Sequence, residues 1–154
     1  MGLAMYEDEQ PDNWQENLGL LLLRLGLAWF IFVWAVNKFL APAQYASIWK
    51  NFHGFDIGSH LSYWIGGAQI LVCLLVAIGY KRTISYGVIF AMHAFTTIAV
   101  YERIIDPFKI SERGFPVNRG MSITFAVFLA FAALWLLRNR DHWSLDVWLE
   151  KRRL

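Results

Sequence analysis

LGLLLLRLGLAWFIFVWAVNKFL, Leu18 to Leu40, is an apolar run of 23 residues interrupted only by Arg24, Asn37 and Lys38. At a rise of about 1.5 Å per residue a helix of this length reaches roughly 34 Å, enough to cross a hydrocarbon core of about 30 Å. Outward from it lie three more apolar blocks, Leu61 to Tyr80, Thr83 to Ile105 and Met121 to Leu137. The spacing predicts an all-α membrane protein. Four transmembrane helices over 18–40, 61–80, 83–105 and 121–137 form a bundle, with short interfacial helices after the first span and at the C-terminus. With 154 residues so largely apolar, no room is left for a separate soluble catalytic domain.

Composition agrees. Hydrophobic residues make up 57% and charged residues 17% of the chain, the latter well below the share usual in a soluble domain. A net charge of +2, with no basic run interleaved with aromatics, gives no footprint for nucleic acid. Cys73 is the one cysteine, so no intramolecular disulfide forms. The first residues, MGLAMYEDEQPDNWQEN, are acidic where a secretory signal is basic, and no small-residue cleavage site follows the first apolar run. That run is expected to stay in the mature protein.

The chain divides into an acidic arm (1–17), a transmembrane domain (18–138) and a basic juxtamembrane tail (139–154). Asp12 and Gln15 have the spacing of a capping box opening the first helix. After Pro42, the residues Tyr45, Ile48, Trp49 and Phe52 recur at helical spacing with polar residues between, the pattern of a helix lying in the interface with its apolar face down. Lys81 and Arg82 make a connection so short that the second and third spans must be antiparallel neighbours, and Asp106 to Gly120, with two prolines, reads as an irregular loop. In the tail, Trp143, Leu145, Trp148 and Leu149 alternate with charge and predict a second surface helix.

Loop charge sets the topology. A cytoplasmic N-terminus puts seven basic residues on that side (Lys81, Arg82, Arg138, Arg140, Lys151, Arg152 and Arg153) against four opposite (Lys50, Lys109, Arg113 and Arg119). This favours a multi-pass protein of the cytoplasmic, inner membrane with both termini inside. Trp14, Trp49, Trp64, Trp143 and Trp148 fall near the predicted interfaces, as aromatic belts do.

The chemistry rests on a few polar residues inside apolar spans. Arg24 lies about two turns into the first helix, where an unpaired charge costs roughly 3 kcal/mol or more. It either snorkels to the headgroups or faces inward as a cation for an anionic or carbonyl-bearing ligand. Lys38, near the other end, is expected to snorkel. Gln69 requires interhelical hydrogen bonds and, at a similar depth to Arg24, is its candidate partner. His93 sits near the centre of the third helix, with Tyr86 and Thr97 on its side. Haem ligation would need a second histidine at its depth, and none lies in a span. His53, Asp56 and His60 are the only candidate metal set, and the intervening glycines argue against fixed geometry. Glu102, Arg103 and Asp106 cluster at the third helix's end, where neighbours in sequence do not face each other. Gly87 with Ala91, and Ala126 with Ala130, have the small-residue spacing of close helix approach.

Four motifs in order carry a resemblance: LLRLGLAWFIFVWAVNKFLAP, then GGAQILVCLLVAIGYKR, then MHAFTTIAVYERIIDPF, and an exit through LLRNRD. Together, over Leu18 to Asp141, they resemble the DoxX family of small four-helix membrane proteins. The resemblance implies a cytoplasmic-membrane bundle with both ends inside and an association with redox chemistry: thiosulfate and quinone oxidation, and oxidative-stress complexes. It transfers Arg24, Lys38, Gly66, Gln69, Gly79 and Arg82 as characteristic positions. At the position of Gln69 the family commonly has glutamate, so a role needing a carboxylate does not carry over.

The leading expectation is a membrane-embedded accessory subunit of a redox complex, not catalytic alone, with no covalently bound cofactor. A quinone-head or lipid site is expected at Arg24, Lys38, Gln69, His93 and Thr97. Its partners are the bilayer and either other subunits of a membrane complex or copies of itself. A small transporter using the same polar residues is the alternative, and a purely structural scaffold is a third. There is no nucleophile with a base and no flavin or nucleotide fingerprint.

Overall fold

The computed structural model describes residues 13–153, and over these the chain is helical, with a lone bridge between Ile110 and Pro116 as its only β-type pairing. The helices are α1 (Trp14–Leu40), α2 (Pro42–His53), α3 (Gly58–Ile78), α4 (Arg82–Ala99), α5 (Tyr101–Ile105), α6 (Met121–Leu136) and α7 (Leu145–Lys151). A 3-10 turn, Arg138–Arg140, lies between the last two. α1 and α3, at 27 and 21 residues, are each long and apolar enough to cross a membrane. α6 is equally apolar but runs only 16 residues.

The four long helices form a closed ring in which α1 touches α3 and α6, and α4 touches the same two. Each contributes a stripe to one core: Leu20, Leu27 and Ile31 from α1, Val76 from α3, Tyr86 and Ile89 from α4, Phe131 and Leu134 from α6. α1 and α3 approach closely at Gly66, where an added Cβ would lie 2.7 Å from the Phe39 ring and 3.1 Å from the Ala35 carbonyl oxygen. Of the expected small-residue pairs, Gly87 receives the Trp135 indole of α6 and Ala130 packs against the core, while Ala91 and Ala126 are exposed.

α1 opens at Trp14 with Asn13 as its cap, the Asn13 Oδ1 accepting from the Glu16 N–H at 3.4 Å. The capping box expected from Asp12 rests on a residue outside those described, as does most of the acidic arm. The third apolar block does not run unbroken to Ile105. α4 stops at Ala99 and Val100 leaves helical geometry before the short α5. Thr96 and Thr97 donate their hydroxyls back to the carbonyls of Met92 and His93, a habit that bends helices, and Val100 follows directly.

α2 begins with Pro42 in its first turn and ends on Gly54, whose φ of 75° supplies the left-handed cap. Its aromatic stripe lies partly against neighbouring helices. His53 stacks on Phe95 of α4 at 4.5 Å, Trp49 leans on both rings, and the Arg103 guanidinium of α5 covers Phe52 at 4.6 Å. Tyr45 lies over Lys38, and burial pushes its phenol above the ordinary range against a smaller opposing effect of Trp49.

Candidate functional site: a buried charge clasp

Every polar group of weight at one end of the ring converges on Asp141, in the segment between the 3-10 turn and α7. Asp141 is fully buried and Arg24 is 3% exposed, and the Arg24 Nη1 donates to Asp141 Oδ2 at 2.8 Å. The same oxygen accepts the Tyr86 hydroxyl at 2.6 Å. Arg24 Nη2 donates to the Trp143 carbonyl at 3.2 Å, and Arg82 Nη1 donates to the Asp141 carbonyl at 2.7 Å and to that of Arg138 at 2.9 Å. Asn17 Oδ1 receives the His142 N–H. The tail thus closes over the ends of α1, α3, α4 and α6.

Gly79 makes this closure possible. Its φ is 69°, and a Cβ there would stand 2.6 Å from both Arg24 Nη1 and Ser144 Cβ, and 3.0 Å from the Ser144 backbone. Only glycine fits both the left-handed turn and the contact. Two residues on, Lys81 also has positive φ (47°), a strained choice for a residue with a side chain. Asp146 of α7 holds it: one carboxylate oxygen accepts the Lys81 N–H and the other the Arg82 N–H, each at 2.8 Å. α4 has no cap of its own at this end, and the carboxylate serves as one from 64 residues away, placed where the helix dipole favours an anion.

Arg24 therefore neither snorkels nor meets Gln69. Gly79 of α3 lies against Arg24, while Gly66 lies against Ala35 and Lys38. Gln69 sits ten residues, or about 15 Å of helix, from Gly79. Its Oε1 is buried and accepts no hydrogen bond among the described residues. Lys38 does not snorkel either. At 4% exposure it bends back to the Trp34 carbonyl at 3.1 Å, with its ammonium 4.3 Å from the Tyr45 ring centre and no carboxylate beside it among the described residues. His93 Nε2 lies 3.0 Å from the Thr124 carbonyl, which makes it the protonated nitrogen, and the ring is wedged between Phe30 and Phe131. Thr97 donates to the His93 carbonyl. The five expected site residues are thus three places rather than one stripe: Arg24 in the clasp, His93 and Thr97 in the centre, Lys38 and Gln69 at the far end.

Among the described residues no three metal-binding side chains gather. His53 is occupied by its aromatic stack, and Asp56 caps the Gly58 N–H at 3.2 Å. Glu102 accepts from Tyr101, and the Asp106 carbonyl accepts from Asn118 at 2.9 Å. A cavity of about 540 Å³ forms a groove on the outer face of α1, lined by Trp29, Phe32, Val33 and Leu40 among others, and borders none of the expected site residues. No family model, curated protein or solved structure matches the chain.

Sequence reasoning missed Asp141, Asp146 and the role of Tyr86. The available signal was the unmet need of Arg24: a cation that deep calls for an anion, and Asp141 is the acid closest in sequence to the exit of α6.

Proposed function

We propose that the chain is an integral membrane protein whose four long helices all cross the bilayer, with both termini and the clasp on the cytoplasmic side, and that it serves as an accessory subunit of a redox complex, the chemistry with which some of the DoxX proteins it resembles are associated. The supporting observation is the division of its surface. Large apolar residues are exposed on all four helices, among them Trp29 and Trp34 on α1, Leu71 on α3, Ile98 on α4 and Leu129 on α6, while Arg24, Lys38, His93 and Thr97 are turned inward. Water disfavours such an outer face over so much area, and lipid does not.

Within that reading the quinone-head or lipid site falls on Lys38 and Gln69. His93 and Thr97 are engaged by protein and Arg24 is neutralised by Asp141 although its Nε has no partner, whereas the Lys38 ammonium has donors to spare with no carboxylate beside it among the described residues and Gln69 Oε1 accepts nothing. A bound quinone would supply two-electron redox chemistry; the chain's own part is to donate a hydrogen bond from Lys38 to its carbonyl. The second reading, a structural scaffold, is favoured by the same engaged Arg24, His93 and Thr97. Purification in mild detergent, with identification of co-purifying proteins and extraction of quinone, separates the two. An accessory subunit brings redox partners, and quinone that is lost on Lys38→Met. A scaffold of this kind runs without either.

A further inference from the structure

Beyond the clasp, the tail carries a cationic surface that the clasp does not use. Lys151, Arg152 and Arg153 are exposed and form no ion pair among the described residues, whereas Arg140 is paired with Glu16 at 3.3 Å and Arg82 with Asp146 at 3.5 Å. The Arg152 guanidinium lies over the exposed Trp148 ring at 3.8 Å, and Trp143, also exposed, precedes α7. α7 is anchored where Asp146 binds the Lys81 turn, and no helix forms an extended contact with the rest of it. A short helix tethered at its start, with tryptophans and cations outward at the end of an apolar bundle, has the arrangement that interfacial segments use on anionic bilayers.

We propose that this surface is a binding site for anionic phospholipid headgroups, with Lys151, Arg152 and Arg153 pairing with the phosphates and Trp143 and Trp148 at headgroup depth. The inference rests on the membrane reading above. Charge chooses the occupant: three successive cations with no ion pair among the described residues follow a single adjacent acid, Glu150, on the side where seven of the loop and tail basic residues fall. Each basic residue near an anionic surface is worth about a fivefold change in binding.

The test uses the full chain in nanodiscs of phosphatidylcholine alone or with about one part in three phosphatidylglycerol, at low and high salt. Thermal melting and the phosphatidylglycerol retained after delipidation are read together. Phosphatidylglycerol should raise the melting temperature of the wild type at low salt and be retained. Both effects should vanish in K151Q/R152Q/R153Q, whose melting in phosphatidylcholine alone should match the wild type. An undiminished response in the triple variant overturns the proposal. So does a response that appears only after deletion of residues 2–12, because the acidic arm then owns the surface. A chain that remains soluble without detergent and enters no disc refutes the membrane reading instead. Inorganic phosphate added in detergent should produce no shift; a shift equal to that of the lipid would reassign the site to free anions and overturn the proposal.

Discussion

Replacing Asp141 by leucine is the sharpest perturbation of the clasp. The carboxylate is fully buried and its Oδ2 accepts both Arg24 at 2.8 Å and Tyr86 at 2.6 Å. Removing it leaves a guanidinium at 3% exposure without its counter-ion. Breaking a buried pair from one side costs about 3–5 kcal/mol. The stranded Tyr86 hydroxyl belongs to the same network, so its loss overlaps with that figure and does not simply add to it. About 4 kcal/mol in a chain of this size corresponds to a fall in melting temperature on the order of 10 °C. Asp141→Asn keeps an acceptor for Tyr86 and should fall less. Arg24→Leu together with Asp141→Leu removes both charges and should recover most of the loss, because an apolar pair of similar volume substitutes well for a buried ion pair. Thermal unfolding of wild type, Arg24→Leu, Asp141→Leu and the double variant in one detergent, analysed as a double-mutant cycle with Asp141→Asn measured alongside, checks this. Equal melting of Asp141→Leu and wild type, or losses that add in the double variant, would refute a buried Arg24–Asp141 pair.

Three further outcomes follow from the same geometry. Gly79→Ala places a methyl 2.6 Å from Arg24 Nη1 and 3.0 Å from the Ser144 backbone at positive φ, so the tail should detach, seen as accelerated proteolysis after Leu137. Asp146→Ala removes the anchor from the Lys81 and Arg82 amides; the cost should be about 1–2 kcal/mol by thermal melting, with faster hydrogen exchange at those two amides. The purified protein should show no Soret absorption, because the His93 ring is wedged between Phe30 and Phe131 and has no second histidine at its depth to complete an axial pair; a haem band abolished by His93→Ala would contradict that.

What the sequence displayed plainly is what local pattern controls. α1 and α3 follow from long apolar runs, the turn between α3 and α4 from Gly79, Lys81 and Arg82, and α2 from Pro42, its aromatic stripe and Gly54. The need of Arg24 for a partner was equally legible, since depth alone sets that cost. Its partner was not, because Asp141 lies 117 residues away and Arg-Asn-Arg-Asp-His reads as a solvated charge run. Equal depth counted from helix ends suggested Gln69, but α3 slides past α1 so that Gly79 meets Arg24 and Gln69 comes level with the other end. The face α2 covers, and the bend of Lys38 back under Tyr45, depend on tertiary neighbours that no periodicity reports. Hydropathy likewise continued through Val100, where α4 ends after two threonines bonded back to their own helix.

Residue accessibility across the bilayer tests the central claim most directly. In a Cys73→Ser background, single cysteines at Gln15, Glu112 and Asn139, all exposed, are probed with an impermeant maleimide on intact cells and again after lysis. Four crossings with a cytoplasmic clasp predict labelling at position 112 from outside, with 15 and 139 reacting only in lysed cells. Labelling of 15 or 139 in intact cells, or protection of all three until lysis, would contradict it.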